Sequence, residues 1–151
     1  MGNYTVFDAF TGISPFEKLG VIKFLEQHIG VSKAKIQMAV EYAIKDCPSF
    51  GGLILVVTQA EEPVAVAIIH KAGANGHQAK HTLAYYAISE KFQTEEFVSD
   101  FFDKLINLSN GDLAMHLDAN DPVLGVFQKM GFQQHRVEYR FNGSNKLRLA
   151  V

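Results

Sequence analysis

The segment Leu113 to Phe132, LAMHLDANDPVLGVFQKMGF, constrains the fold more than any other part of the chain, because two different periodicities meet inside it. Leu113, Met115 and Leu117 alternate with Ala114, His116 and Asp118, the two-residue period of a strand that presents different chemistry to its two faces. This strand is expected to end near Ala119. Asn120, Asp121 and Pro122 then supply a cap and a first-turn proline. Val123, Val126, Phe127 and Met130 recur at helical spacing until Gly131 permits a left-handed stop.

The rest of the chain reads as a mixed α/β pattern. Tyr4 to Phe10 alternates as a first strand. Ser14, Pro15 and Glu17 form a helix start in which serine caps, proline takes the first turn and glutamate reaches back. Phe16, Leu19, Ile22, Leu25 and Ile29 give this helix one apolar stripe, and Gly30 ends it. Ser32 opens a second helix with Ile36, Val40, Ala43 and Ile44 facing inward, closed by Cys47-Pro48. Leu53 to Gln59 and Val64 to His70 form a hairpin around Ala60 to Pro63. Ala72 to Lys80 is a Gly-rich polar loop. Thr82 to Ser89 is a third strong strand, with Leu83, Tyr85 and Ala87 on one face and Ala84, Tyr86 and Ile88 on the other. Thr94 caps a helix running to about Ser109, its stripe formed by Phe97, Phe101, Leu105 and Leu108 with Phe102 and Ile106 beside it. His135 to Phe141 and Lys146 to Val151 make a last hairpin around Asn142-Gly143.

With 151 residues, 48% of them hydrophobic, the chain is long enough for one core and short for two, so residues 1–151 are expected to form a single domain. The formal charge of -2 leaves no basic run on which a nucleic-acid surface could rest. Cys47 is the sole cysteine, which excludes an internal disulfide and fits a reducing compartment. No targeting signal opens the sequence, and no apolar run approaches the roughly 20 residues of a membrane helix. A soluble, cytoplasmic protein without membrane or nucleic-acid partners is expected.

The strand-helix segment resembles the signature of the GNAT superfamily of N-acetyltransferases, Asn-x-Pro-Ala-x-x-Leu-Tyr-x-Lys-x-Gly-Phe, which Asn120, Pro122, Lys129, Gly131 and Phe132 match. The order strand, helix, helix, three strands, helix, strand, helix, two strands is also the GNAT order and spans the chain. The resemblance implies an α/β (α+β) mixed sheet of about seven strands with four helices, and acetyl-CoA as co-substrate. It also implies transfer of an acyl group to a small amine or an amino terminus by direct attack in a ternary complex.

Two sites depart from that pattern. Phe127 stands where many members carry a tyrosine that protonates the departing thiolate, so the packing is kept and the hydroxyl is lost. The coenzyme A pyrophosphate loop, Arg/Gln-x-x-Gly-x-Gly/Ala, should open the long helix, because side-chain-free amides at a helix start cradle phosphates. Gln93 matches its first position, but Glu96 and Val98 replace the glycines and Glu95 adds a carboxylate. Thr94, Glu95 and Glu96 also read as an ordinary capped, acidic first turn, which complements the helix dipole by about 0.3 to 1 kcal/mol per charge. Such carboxylates would oppose a diphosphate by about 1 to 4 kcal/mol per close pair, so weakened or rearranged coenzyme A binding is expected, with Lys91 and Lys129 offsetting part of it.

The resemblance places cofactor contacts at Tyr86, Ala87 and Ile88 on the third strong strand, whose amides would hold pantetheine and polarise the thioester. Further contacts fall at Gln93, Thr94, Glu95, Glu96, Phe97 and Val98 on the loop and helix start, and at Asn120, Phe127 and Lys129 in the signature. An amine of pKa near 10.4 must lose a proton before it attacks. His116, read as mid-strand, is the titratable group best suited to that role at neutral pH, although a hydrogen-bonded structural histidine is the commoner case. Asp118 would orient it or select a cationic acceptor, and Tyr85 or Tyr86 would replace the missing acid. His70, His77 and His81 gather around one loop, but its glycines argue against the helix that zinc spacing would need, and no metal site is expected. The alternative to an enzyme is a catalytically degenerate GNAT-shaped binding or regulatory module, acting as a homodimer. A third reading is transfer from a different acyl donor.

Overall fold

The computed structural model describes residues 2–45, 51–71, 79–118, 120–121, 123–141 and 143. The chain divides into two compact units, Met1–His116 and Leu117–Val151.

The first unit is built on one sheet of five strands in the order β1-β2-β3-β4-β5. These are β1 (Asn3–Phe7), β2 (Gly52–Gln59), β3 (Glu62–Lys71), β4 (His81–Ile88) and β5 (Leu113–Ala114). Neighbours are antiparallel from β1 to β4, and β4 pairs β5 in parallel. Helices α1 (Pro15–Ile29) and α2 (Lys33–Ile44) lie between β1 and β2 in sequence, and α3 (Glu95–Leu108) lies between β4 and β5.

Both N-terminal helices start as their sequences require. Ser14 Oγ accepts from Glu17 N, and the Glu17 carboxylate accepts from Ser14 N, a reciprocal box that satisfies two amide donors. Gly30 ends α1 at φ 65°, a left-handed value that glycine reaches without a Cβ clash. Ser32 caps α2. The buried stripe of α1 differs from expectation: Val21, Ile22, Phe24 and Leu25 are buried, whereas Phe16 is 85% and Leu19 54% exposed. The first turn of α1 therefore stands away from the sheet, and the stripe begins a turn later than periodicity suggests.

The β2–β3 hairpin is the centre of the sheet. Ala60 and Glu61 take φ of 52° and 66°, the left-handed pair that matches a two-residue turn to strand twist. On one face Ile54, Val56, Val66 and Ile68 pack with Phe7, Ala87 and the buried residues of α1 and α2. On the other, Leu53, Leu55, Val57, Ala65, Ala67 and Ile69 are buried too, which explains why both strands read as continuous apolar runs. Tyr86 meets Phe102 of α3 edge to face at 5.2 Å. Phe101, Phe102 and Leu105 of α3 are wholly buried.

Three expectations about strands are corrected. β1 stops at Phe7, because Asp8 Oδ1 accepts from the amides of Phe10 and Thr11 and turns the chain. The signature strand is confined to Leu113–Ala114, so His116 is not mid-strand but lies beyond it, exposed. Five strands form among the described residues rather than about seven. Residues 135–141 carry no strand, and residues 146–151, the expected partner, lie outside the described residues.

In the second unit, α4 (Leu124–Lys129) is the signature helix. It is not capped by Asn120, which is exposed. Val123 holds the N-cap position without a side-chain cap bond, and Asp121 forms the turn before it, with Oδ1 accepting from Val123 N at 3.0 Å and its carbonyl accepting from Leu124 N. At the other end Gly131 takes φ 101°, Phe132 N donates to Phe127 O, and Gly131 N donates to Gln128 O. These paired bonds form a Schellman stop, and the apolar contact that accompanies it is the Phe127–Phe132 ring pair at 5.7 Å. The Gly-Phe ending and Phe127 are thus parts of one capping device.

Candidate functional site

β4 is bordered unequally. β3 pairs with it from Lys71↔His81 to Ala65↔Ile88, whereas the β5 ladder consists of His81↔Leu113 and Thr82↔Ala114 alone. Beyond Thr82 the ladder ends: β4 continues to Ile88, and Met115 and His116 lie outside β5. Ser89 N donates to Val64 O at 2.8 Å on the β3 side. Since backbone groups alternate between edges along a strand, the amide groups of Tyr86 and Ile88 point to the edge away from β3. Gln93 Nε2 reaches Ile88 O, at 3.0 Å.

A bulge adjusts this strand. Ile68 pairs with Tyr85 but Ile69 pairs with Leu83, so Ala84 is an extra residue in β4. Ala84 and Tyr85 both pack against the α1–α2 core, while Leu83 joins Ile69 on the opposite face. The expected grouping of Leu83 with Tyr85 and Ala87 is therefore wrong by one residue, because the bulge shifts the alternation. Tyr85 is half-buried on the α1–α2 side, and Tyr86 is half-buried on the α3 side.

Between β4 and α3 the chain makes a 3₁₀ turn, Glu90–Phe92, which periodicity does not reveal. Phe92 N donates to Ser89 O and Gln93 N to Glu90 O. Thr94 then caps α3: its Oγ1 accepts from Phe97 N at 3.2 Å, and its carbonyl accepts from Val98 N at 2.9 Å. The rings of Phe92 and Phe97 lie 5.4 Å apart, and Phe97 stacks towards Phe101 at 6.4 Å. Glu95 and Glu96 are exposed in the first turn. The amides of Phe92, Gln93, Phe97 and Val98 thus all have partners within the chain. Those of Glu95 and Glu96 belong to residues that bring carboxylates.

This helix start does not fit a diphosphate. A phosphate cradle needs several convergent N–H donors and no competing anion; here the cap and the 3₁₀ turn take four of the amides, and the two that remain, those of Glu95 and Glu96, belong to the residues that place two carboxylates in the first turn. The β4 edge makes no such electrostatic demand, since the pantetheine arm of coenzyme A is neutral and calls for backbone donors and acceptors, of which Ile88 O accepts from Gln93.

His116 is exposed and makes no hydrogen bond to another of the described residues. Asp118, Asn120, Phe127 and Lys129 belong to the second unit, where Asp118, Asn120 and Lys129 are exposed and Phe127 is 2% exposed. His70 is structural: its Nε2 lies 3.0 Å from Ala39 O, its ring is 4.5 Å from that of Tyr42, and burial lowers its pKa. His81 at the start of β4 is 7% exposed, Nδ1 has no hydrogen-bond partner, and burial lowers its pKa as well. His77 lies outside the described residues, and no group of three metal-binding side chains forms among the described ones. No described helix is long and apolar enough to cross a membrane.

No known family profile and no curated protein match the chain in sequence. Solved structures do match it in shape. The ribosomal-protein-S18-alanine N-acetyltransferase of Escherichia coli aligns with a TM-score of 0.62 and 13% identity over 89% of this chain and 80% of that one. A GNAT family acetyltransferase of Streptococcus pneumoniae aligns at 0.64 and 11% identity over 95% and 99%. AAC(6')-Iy, solved with the bisubstrate analogue CoA-S-monomethyl-acetylneamine, aligns at 0.65 and 11% identity over 93% and 98%. The chain has the GNAT fold.

Proposed function

We propose that this GNAT-fold chain is an N-acyltransferase that takes an acyl group from a thioester donor, acetyl-CoA in the first instance, and passes it to a small amine or an amino terminus. The observation that carries the reading is the end of the β4–β5 ladder at Thr82, while β4 runs on to Ile88. A thioester arm lying along that edge would extend the sheet as a short strand does, bonding to the main chain at Tyr86 and Ile88. The similar structures support both acceptor types, since one acts on a protein's alanine and another holds an acetylated neamine analogue.

In the reaction, the neutral amine nitrogen attacks the thioester carbon, a C–N bond forms, and the C–S bond breaks with its electron pair leaving on sulfur. One proton passes from nitrogen to the thiolate, giving amide and thiol. His116, exposed just beyond the ladder, is proposed to take the proton from the amine, with Tyr85 supplying a proton to the leaving sulfur. Phe127 cannot supply it. An amide N–H aimed at the carbonyl oxygen would stabilise the charge that develops there.

Thermal unfolding against acetyl-CoA, coenzyme A and longer acyl-CoAs, paired with thiol release from an amine panel, tests the reading. A donor at about 100 times its Kd adds about 2.7 kcal/mol to stability, a rise of roughly 5 to 11 °C for a chain of this size. No rise with any thioester at millimolar concentration would refute it. Binding without thiol release would favour a degenerate binding module, the reading that the acidic start of α3 supports.

A further inference from the structure

The β4 edge sets no charge against one end of coenzyme A, and the α3 start does not fit the other. Resting on the N-acyltransferase reading, we infer that the chain recognises its donor by the pantetheine thioester and gains no net affinity from the nucleotide diphosphate, so that acyl thioesters with a neutral pantetheine arm serve as well as acyl-CoA.

Four features at one place carry this. Thr94 Oγ1 holds Phe97 N, and its carbonyl holds Val98 N. The 3₁₀ turn closes the amides of Phe92 and Gln93 on Ser89 and Glu90. The Gln93 side chain, a neutral group there that could donate to a phosphate, is engaged by Ile88 O. Glu95 and Glu96 put two carboxylates in the turn, where each would repel the anionic oxygens of a diphosphate. Recovering the amide of Phe97 for a ligand would mean breaking the cap that starts α3, and the amides the cap leaves over are those of Glu95 and Glu96, the residues that carry the carboxylates. No charge opposes a pantetheine arm on β4, because that arm is neutral; its competitor there is the Gln93 side chain, which holds Ile88 O.

Isothermal titration of the full chain with acetyl-CoA and with S-acetylpantetheine decides the matter. Charge-assisted bonds to a diphosphate would favour acetyl-CoA by about tenfold or more for each bond made. The expected result is Kd values within about threefold of one another, with acetyl-CoA weakening relative to S-acetylpantetheine as salt is lowered and repulsion is less screened. The variant E95Q/E96Q, altered at two exposed positions, should bind acetyl-CoA about three- to tenfold more tightly at low salt while its affinity for S-acetylpantetheine stays unchanged. Preference of the natural chain for acetyl-CoA by more than tenfold would overturn the inference and leave the N-acyltransferase reading standing. So would an unchanged acetyl-CoA affinity in E95Q/E96Q. Failure of both thioesters to bind would overturn that reading, and the inference with it.

Discussion

Replacing Phe102 with alanine probes whether α3 is held against β4 as the structure shows. Phe102 is fully buried, with its ring 5.2 Å from Tyr86 and 5.6 Å from Phe101, both contacts edge to face. Truncating a buried phenylalanine removes its transfer free energy and leaves a cavity, together about 3 to 5 kcal/mol. For a chain of about 150 residues each kcal/mol lowers Tm by about 2 to 4 °C, so F102A should melt roughly 6 to 20 °C below the parent. The same site tested with Y86L, alone and combined with F102L, should give a coupling of about 0.5 to 1.5 kcal/mol for the aromatic pair. Urea unfolding followed by far-UV circular dichroism supplies each free energy at constant m-value. A loss below about 1 kcal/mol for F102A, or coupling indistinguishable from zero, would show that α3 does not dock through this contact. The path from the β4 edge to the start of α3 would then have to be redrawn.

Other consequences can be measured on the same samples. Gly52 pairs with His70, and a Cβ placed there would run into the carbonyl oxygen of Ile69; G52A should lose about 3 kcal/mol or more, and a loss below 1 kcal/mol in urea would contradict the hairpin register. Ser109 is wholly buried with no partner for Oγ, so S109A should be neutral or stabilising by about 1 kcal/mol, and a clear loss on unfolding would reveal a hidden bond. Burial lowers the pKa of His70 and of His81 below the ordinary 6.5. The unfolded chain therefore binds protons that the folded one refuses: stability is full above pH 6.5 and is lost as pH falls through the two folded values. Tm should drop between pH 7 and pH 5, before carboxylates titrate, and a flat profile over that interval would count against burial of both rings.

Much of this molecule was legible in the sequence wherever a local rule decides the outcome. Ser14-Pro15-x-Glu17 stated its own capping box, Thr94 its own cap, and Gly30 and Gly131 their own left-handed stops, because each depends on residues within one turn. The hairpin Gly52–Lys71 was readable from two apolar runs and a short turn. What escaped depends on partners distant in sequence. The six residues from Leu83 to Ile88 look like unbroken alternation, and only pairing with Ile68 and Ile69 exposes Ala84 as a bulge. Phe16 and Leu19 fit a helical stripe by spacing, yet the fold leaves both exposed.

The acidic start of α3 is where local and global logic diverge, and that divergence makes it informative. Thr94, Glu95 and Glu96 are what a helix alone would choose: the cap takes an amide, and the carboxylates complement the dipole. A diphosphate site requires the opposite, an uncapped terminus with its donors held open at a cost in stability. The same residues cannot do both. Phe127 follows a similar logic at the end of α4, where the aromatic ring is kept for the Schellman contact with Phe132 and the hydroxyl is absent. At both places the residues present serve the local fold. In the proposed reaction the hold on the donor then falls to main-chain groups of β4 past Thr82, and side chains are needed for proton transfer alone.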